Sequence, residues 1–268
     1  MIRNVLSIAG SDPSGGAGIQ ADLKAFSARG VYGMAVVTAL TAQNTRGVAG
    51  VYLVPSEFVA RQIEAIFADI RVDAIKIGMI ASAGIASAIA DVLSPHSGVP
   101  LVVDPVMVAK GGASLLDAAA IATLKNRLLP MASLVTPNLP EAAALLDMTV
   151  AGSRDEMEVQ ARRLLDLGAG AVLLKGGHLD QPTSPDLLVS PSDLVWLEGE
   201  RTFTENTHGT GCTLSSALAA ELAKGASPLA AAQTAKAFVA GAIAAAGRLS
   251  VGAGHGPTHH FHEFWQAS

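Results

Sequence analysis

The sequence has 268 residues, half of them hydrophobic and 15% charged, with a formal net charge of −5 at neutral pH. This length fits one large domain or two small ones, and low aromatic content with abundant alanine favours closely packed helices over an all-β sandwich. With no run of lysine or arginine, the chain is not expected to bind nucleic acid or an anionic membrane, and its single cysteine excludes a disulfide framework and predicts a cytoplasmic protein.

Short apolar runs alternate with longer helical patterns over the first 177 residues. The predicted strands are residues 5–10, 34–40, 74–79, 101–107, 133–138 and 171–177. The predicted helices lie near residues 16–29, 56–69, 82–93, 117–128, 139–147 and 154–167. Most of the strands are apolar throughout, which is typical of strands covered on both faces. The order predicts an α/β fold with a doubly wound, mostly parallel central sheet flanked by helices.

The pattern changes after residue 177. The stretch "PDLLVSPSDLVWLEGERTF" predicts two or three antiparallel strands at one edge of the sheet, and two long helices follow at about 210–224 and 228–246. The longest apolar stretch, residues 237–247, is shorter than the ~20 residues of a membrane span. We see no linker and no internal repeat, so we predict a single domain over residues 1–268 with no membrane contact.

Polar and glycine-rich segments follow nearly every predicted strand. They read Gly-Ser-Asp, Ala-Gln-Asn, Gly-Met, Asp-Pro-Val-Met, Thr-Pro-Asn and Lys-Gly-Gly-His, in chain order. In a sheet of this kind the carboxyl ends of the strands face the ligand crevice. The sequence therefore predicts one binding site assembled from these segments.

The segment "NTHGTGCTLSSALAAELAKG" places Gly209, Thr210, Gly211 and Cys212 at the start of a helix. Glycines let backbone N–H groups point inward, and a helix N-terminus adds partial positive charge, so this turn suits a phosphate group. An ordinary glycine turn is the alternative. We expect the pKa of Cys212 to be lowered there. A covalent thiol mechanism is disfavoured, because no arginine follows to hold a phosphate and His208 is expected to point elsewhere.

Three further side chains could complete a phosphate site. Asn138 and Glu141 lie three residues apart and would share a helix face, where they could hold magnesium through water or simply form a capping box. Asp104 ends a strand before a proline, which fits either a magnesium and phosphate role or turn formation. Lys175 ends a very apolar strand and could hold a phosphate as a point charge, or extend its ammonium to solvent.

The N-terminal loop "AGSDPSGGAGIQADLK" is rich in glycine but matches neither a Walker A loop nor a dinucleotide fingerprint. It more plausibly allows close approach to a small ligand. Gln43 carries a donor and an acceptor side by side, which matches the edge of an aminopyrimidine. The terminal "HGPTHHFH" fits no zinc pattern, and we interpret its histidines as packing residues.

Taken in series, these motifs resemble the ribokinase-like superfamily, and within it the hydroxymethylpyrimidine/phosphomethylpyrimidine kinases of thiamine biosynthesis. The stretches that carry the resemblance are "IAGSDPSGGAGIQADLK", "TALTAQNTRGV", "KIGM", "TPNLPEAAALL", "LLKGGH" and "NTHGTGCTLSSALAA". They span nearly the whole chain. The resemblance implies a homodimeric kinase that uses ATP and Mg²⁺ to phosphorylate 4-amino-5-hydroxymethyl-2-methylpyrimidine and then its monophosphate.

The resemblance also implies a role for each site residue. Gly209, Thr210, Gly211 and Cys212 would form the anion hole, with Lys175 as the catalytic cation at the ATP phosphates. The residues implied to hold phosphate or metal are Asp104, Asn138 and Thr207 for ATP and Asp104 and Glu141 for magnesium. The residues implied to bind the pyrimidine are Gly10, Asp22, Gln43, Met79 and Val106. Cys212 occupies the place where many relatives have an aspartate base.

Two rival functions remain open from the sequence. One is a pyridoxal kinase of the same superfamily, which also phosphorylates a hydroxymethyl group on a heteroaromatic ring. The other is a catalytically silent ligand-binding protein on the same fold, which would be expected to lose the glycine turn, the lysine or the acidic pair. All three are present here.

Overall fold

A computed structural model describes residues 1–107 and 116–265. Eight of its strands form one sheet: β1 (Asn4–Ala9), β2 (Tyr32–Val37), β5 (Ala74–Ile77), β6 (Leu101–Val103), β7 (Leu134–Val135), β8 (Val172–Lys175), β9 (Asp186–Val189) and β10 (Leu194–Leu197). The spatial order is β10-β9-β8-β7-β6-β5-β1-β2, in which only β9 and β10 run antiparallel to their neighbours. The mostly parallel sheet with a short antiparallel edge is therefore confirmed.

Helices cover both faces of this sheet. They are α1 (Gly18–Ala28), α2 (Ser56–Phe67), α3 (Ala83–Leu93), α4 (Ala118–Thr123), α5 (Leu139–Leu146), α6 (Arg154–Leu165), α7 (Thr210–Ala223) and α8 (Pro228–Ala244). Successive residues of a strand point to opposite faces, so Leu6 and Ile8 join one apolar core while Val5 joins the other. Two cores of this kind explain why the strands are apolar at nearly every position.

Helix α7 lies beneath the central strands, between the sheet and α8. Its residues from Thr213 to Ala223 are all buried, as expected of a helix enclosed on every side. Alanines 217, 219 and 220 have no exposed surface, which lets the neighbouring backbones approach closely. The first turn of α7 thereby faces the carboxyl ends of the strands, where the polar segments collect.

The predicted strand 34–40 is wrong at its end. The chain leaves the main sheet after Val37, and β3 (Ala39–Asn44) pairs with β4 (Gly47–Leu53) in a separate antiparallel hairpin. Thr38 marks the break, because its N–H donates to Ala9 O and its hydroxyl donates to Met79 O. These contacts tie the base of the hairpin to the ends of β1 and β5.

The remaining elements follow the predicted order, although the predicted strand 133–138 shrinks to the two residues of β7. Within residues 1–107 and 116–265, no helix is long and apolar enough to cross a membrane. The single domain over residues 1–268 stays a prediction.

Candidate active site

One large cavity, of about 1740 Å³, opens along the carboxyl ends of the parallel strands. It is lined by nearly every residue that the sequence singled out: Gly10, Gln43, Met79, Asp104, Val106, Asn138, Glu141, Lys175, Thr207, Gly209, Thr210, Gly211 and Cys212. The segments that follow separate strands therefore do meet at one place. Asp22 is the exception and is discussed below.

The glycine turn, residues Gly209–Cys212, begins helix α7. Gly209 has a φ of 77°, in the left-handed region, and a Cβ there would overlap the carbonyl oxygen of Gly16. No other residue type fits this position without displacing the N-terminal loop. All four residues of the turn line the cavity, so the partial positive charge of the helix N-terminus lies at its wall.

Lys175 and Asp104 meet directly in front of this turn. Lys175 Nζ lies 3.1 Å from Asp104 Oδ1 and 3.9 Å from Glu141 Oε2. A Cβ on Gly211 would come within 3.5 Å of both Lys175 Nζ and Asp104 Oδ2. The lysine therefore does not extend to bulk solvent, and its ammonium, the two carboxylates and the turn share one end of the cavity.

Burial and mutual attraction set the charges of this group. Burial acts to lower the pKa of Lys175, but Asp104 and Glu141 outweigh it and raise that pKa. Burial acts to raise the pKa of Asp104, and Lys175 with Lys76 reverses the effect, so that carboxyl stays ionised. For Glu141 burial prevails over the attraction of Lys175 and raises the pKa to about 7.

Asn138 and Glu141 form the capping box of helix α5. The Asn138 side chain accepts a hydrogen bond from the Glu141 N–H, and Glu141 Oε2 accepts one from the Asn138 N–H, both at 2.8 Å. The capping box, which was the structural alternative to a magnesium site for this pair, is therefore present. Both residues also line the cavity, so capping fixes the Glu141 carboxylate at the edge of the site.

The environment of Cys212 differs from the prediction. Burial raises the pKa of its thiol to about 11, with Asp22 and Asp104 acting in the same direction and Lys76 opposing them. The expectation of a lowered pKa from the helix N-terminus alone is therefore wrong. The partly exposed thiol is neutral near physiological pH, and it accepts a hydrogen bond from the N–H of Gly18.

The structure does not support the prediction that Asp22 contacts substrate. Asp22 is fully buried and does not line the cavity. Both of its carboxylate oxygens lie 2.9 Å from Nζ of the equally buried Lys76. Ser7 donates to Oδ2 at 2.5 Å and Ser216 to Oδ1 at 2.7 Å. With these donors in place, Asp22 acts as the counter-charge of Lys76 beneath the site.

The residues predicted to bind the pyrimidine otherwise line the cavity near the glycine turn. Gln43 projects from β3, and its Nε2 lies 3.4 Å from Nε2 of His208, the residue that precedes the turn. A side chain at Gly10 would overlap the methyl group of Met79, so this glycine makes room for the methionine. Val106 completes this part of the lining.

The hydrogen-bonded contact between Asp12 and His208 was not predicted from the sequence. His208 Nε2 lies 2.8 Å from Asp12 Oδ2, and the same oxygen accepts the N–H of Ala17. Burial acts to raise the pKa of Asp12, but hydrogen bonds from His208 and Ser14 dominate and lower it to about 2. The turn-forming Asp-Pro-Ser-Gly stretch was the available signal for an acceptor here.

The C-terminal histidines were predicted to be packing residues. No group of three or more histidine, cysteine, aspartate or glutamate side chains suited to a metal ion occurs in the described ranges 1–107 and 116–265. His259 and His260 are buried, which fits the predicted packing role.

Comparisons with known proteins agree with this arrangement. A sequence model of the family described as "Phosphomethylpyrimidine kinase" matches residues 12–259. The hydroxymethylpyrimidine/phosphomethylpyrimidine kinase of Escherichia coli strain K12 is 53% identical over 262 residues, which are 98% of each chain. A solved phosphomethylpyrimidine kinase from Clostridium difficile 630 is 43% identical with a TM-score of 0.79, covering 88% of this chain and 97% of the other.

A pyridoxal kinase is also close in structure. The ADP complex of pyridoxal kinase from Bacillus subtilis is 35% identical with a TM-score of 0.90, covering 98% of this chain and 99% of the other. The fold is thus shared by two kinds of vitamin kinase, while the family model and the higher sequence identities point to one of them. The chain belongs to the phosphomethylpyrimidine kinase family.

Proposed function

We propose that this protein transfers the γ-phosphoryl group of ATP to 4-amino-5-hydroxymethyl-2-methylpyrimidine, and then phosphorylates the monophosphate to the diphosphate used for thiamine biosynthesis. One observation carries the proposal. The glycine turn at the N-terminus of α7, Lys175 and the Asp104–Glu141 pair share one end of a cavity that Gln43 and Met79 also line. The names of the relatives support the choice of substrate.

The pyrimidine is proposed to lie between Gly10, Met79 and Val106, with its amino group and ring nitrogen facing the Gln43 amide. This pose would direct the hydroxymethyl group towards the glycine turn. Gln43 must then exchange its contact with His208 for the ring, a contact that is already long at 3.4 Å. The Asp12–His208 pair would hold the lining in place during this exchange.

ATP is proposed to occupy the rest of the cavity. Apolar side chains of α7 and α8 line that region and suit an adenine ring: Leu214, Ala237, Val239, Ala240 and Ile243. The triphosphate would run from there towards Lys175, Asn138 and Thr207. Charge spreads over the equatorial oxygens of a phosphoryl group in transfer, so fixed N–H donors and an ammonium stabilise the transition state more than the ground state.

The donor set fits a magnesium ion held mainly through water and phosphate. Asp104 and Glu141 supply hard oxygen ligands, but Asp104 already accepts from Thr136, Lys175 and Ser215. Mg²⁺ commonly keeps several waters and adds one or two carboxylates to the substrate phosphates. When bound, it would neutralise phosphate charge, and Asp104 and Glu141 would be the residues that hold it.

Cys212 is proposed to line the anion hole and to accept the hydroxyl proton only as a minor contribution. With a thiol pKa of about 11, very little thiolate exists near neutral pH. Phosphoryl transfer passes through a loose transition state in which positioning and charge neutralisation dominate. The second substrate is a phosphate and needs no strong base.

The test is incubation with ATP, Mg²⁺ and the hydroxymethylpyrimidine, with mono- and diphosphate products resolved over time. We expect the monophosphate to appear first and the diphosphate to follow. Pyridoxal kinase activity is the second candidate, favoured by the Bacillus subtilis structure. A kcat/KM for pyridoxal above that for the pyrimidine would replace the proposed substrate, and a tight pyrimidine complex without ATP consumption would point to the silent binding protein.

We further propose that the enzyme is a cytoplasmic homodimer. The β3–β4 hairpin exposes the large apolar side chains Leu40, Val51, Tyr52 and Leu53. A two-stranded sheet with so many exposed apolar groups gains from a partner surface, and a second copy offers the same patch. Light scattering should give twice the chain mass, and Tyr52→Lys should reduce it to one chain. A monomeric wild type at micromolar concentration would refute the dimer.

A further inference from the structure

The C-terminal segment Gly252–His260, which we call the brace, has no role in the function proposed so far. It contains most of the "HGPTHHFH" motif that the sequence analysis left as packing. In the structure it crosses between two parts of the candidate site that are distant in sequence. One is the tip of the β3–β4 hairpin, which carries Gln43, and the other is the glycine turn.

At its first end the brace contacts the hairpin tip through backbone atoms. The His255 N–H donates to Thr45 O at 2.9 Å, and the Gly254 N–H lies 3.2 Å from Thr45 Oγ1. A Cβ on Gly254 would overlap the Thr45 carbonyl group. This contact therefore requires glycine at position 254, and Thr45 lies in the hairpin turn, two residues after Gln43 in the chain.

In its middle the brace pairs with the residues just before the glycine turn. Gly256 O accepts the N–H of His208 at 3.0 Å, and the Thr258 N–H donates to His208 O at 3.3 Å. The Gly256 N–H also donates to Asn206 Oδ1 at 3.2 Å. The chain that enters the glycine turn is thus held like a strand in a ladder.

At its second end the brace holds the turn itself through His260. His260 Nε2 lies 3.0 Å from Thr213 Oγ1, and the Thr213 hydroxyl donates to Gly209 O at 2.8 Å. One hydrogen bond therefore joins His260 to Thr213, and the tautomer of the imidazole ring decides which of the two groups donates. Burial lowers the pKa of His260 to about 3, so the ring is neutral at any working pH.

The brace is also attached to helix α8. The His259 N–H donates to Ala242 O at the end of α8, at 2.9 Å, and both His259 and His260 are buried. Movement of the hairpin or of the turn relative to α8 would break these bonds. Binding groups contributed by separate segments must be held within about 0.5 Å of their productive positions.

We propose that the brace fixes the anion-binding turn relative to the pyrimidine-binding hairpin, and that His260 is a positioning residue for phosphoryl transfer through Thr213 and Gly209. The inference rests on the proposed function for the identity of the substrate. It adds that the two ends of the brace serve different kinetic steps: the Thr45 end orders the hairpin for substrate binding, and the His260 end orders the turn for the transition state.

The test of the His260 end uses two substitutions that differ in one hydrogen bond. His260→Leu removes the hydrogen bond to Thr213, while His260→Gln can place an amide group, which can either donate or accept, where Nε2 was. For His260→Leu we expect kcat to fall about tenfold in both phosphorylations with KM changed less than about twofold, because only transition-state binding is lost. His260→Gln should recover most of kcat. His96→Leu, the same change at a histidine that does not line the cavity, is the control.

Two measurements distinguish a lower kcat caused by a displaced glycine turn from a lower kcat caused by unfolded enzyme. Each kcat is divided by the fraction of folded protein, obtained as the share of the single thiol, Cys212, that reacts with an aromatic disulfide only slowly before the protein is denatured. Amide hydrogen exchange is then measured over residues 206–214 and over α8. We expect faster exchange in the first peptide alone for His260→Leu. This measurement does not depend on turnover, so it can succeed or fail whether or not the pyrimidine is the substrate.

The test of the Thr45 end compares two glycines. Gly254→Ala should displace the hairpin tip and raise KM for the pyrimidine about fivefold or more while kcat per active site falls less, because ground-state binding is affected. Gly247→Ala, where a Cβ meets nothing within 4 Å, is the control. Unchanged kinetics in both His260→Leu and Gly254→Ala, or accelerated exchange spread over the whole chain, would overturn the proposal.

Discussion

The raised pKa of Cys212 makes a quantitative prediction about the reactivity of the only thiol in the chain. A cysteine at a helix N-terminus ordinarily has a lowered pKa. Here burial raises the pKa of the thiol to about 11, and the charges of Asp22 and Asp104 add to this effect while that of Lys76 opposes it. The experiment varies the pH and measures the rate at which Cys212 attacks a small aromatic disulfide.

The magnitude follows from the ionised fraction. At pH 8 a thiol with a pKa of about 11 is ionised in about one molecule in a thousand, whereas an ordinary thiol with a pKa of about 8.5 is ionised in about one in four. The more basic thiolate is about ten times more nucleophilic, which offsets part of this difference. We therefore expect exchange about twentyfold slower than for an unhindered cysteine at that pH.

The shape of the pH profile decides the question, because steric access scales the rate without changing its slope. Between about pH 7 and about pH 10 the rate should rise about tenfold per pH unit without a plateau. The product is counted from the released aromatic thiolate, with one equivalent per chain as the limit. A plateau between about pH 7 and about pH 8 would show a lowered pKa and would refute the role assigned here to burial.

The remaining predictions concern variants of the same site. Cys212→Ala should slow the first phosphorylation more than the second but by less than about 100-fold, and equal losses would exclude even a minor base role. Lys175→Met should reduce both steps by at least about 100-fold in a product-resolved assay, with Lys125→Met at the surface as the control; an unaltered rate would remove Lys175 from the site. Glu141, with a pKa of about 7, should hold Mg²⁺ better at pH 8 than at pH 6, so the Mg²⁺ requirement should rise on acidification in the wild type and stay flat in Glu141→Gln. Lys76→Met should lower the free energy of unfolding in urea by about 3–5 kcal/mol, and adding Asp22→Asn should restore part of it; additive losses would contradict the pairing.

Much of the site could be predicted from the sequence because it depends on local patterns. A strand that is apolar throughout and ends in Asp104 or Lys175 carries its polar residue to the crevice in any doubly wound sheet. The conformation of the glycine turn before α7 is likewise determined locally, because it requires a positive φ at Gly209. The position of such a residue at the end of a strand or the start of a helix is enough to place it at the site, and no contact with a distant segment has to be known.

The features that could not be predicted depend on residues far apart in sequence. Asp12 and His208 are separated by 196 positions, and nothing near either one identifies its partner. The pKa of Cys212 is set by burial and by charges on other elements, so the local rule for helix N-termini gives the wrong sign. The hairpin was missed because residues 34–40 were predicted as one strand, and the contacts of Thr38 with Ala9 and Met79 divide that segment between β2 and β3.

The Lys76–Asp22 pair has a consequence for how this sequence can change over generations. Neither side chain is exposed to solvent, so a mutation of one of them alone leaves an unpaired buried charge. Simultaneous replacement of both by a neutral pair of similar volume is tolerable. Lineages should therefore keep both residues or exchange both. An aligned set of descendants in which positions 22 and 76 vary independently would contradict this expectation.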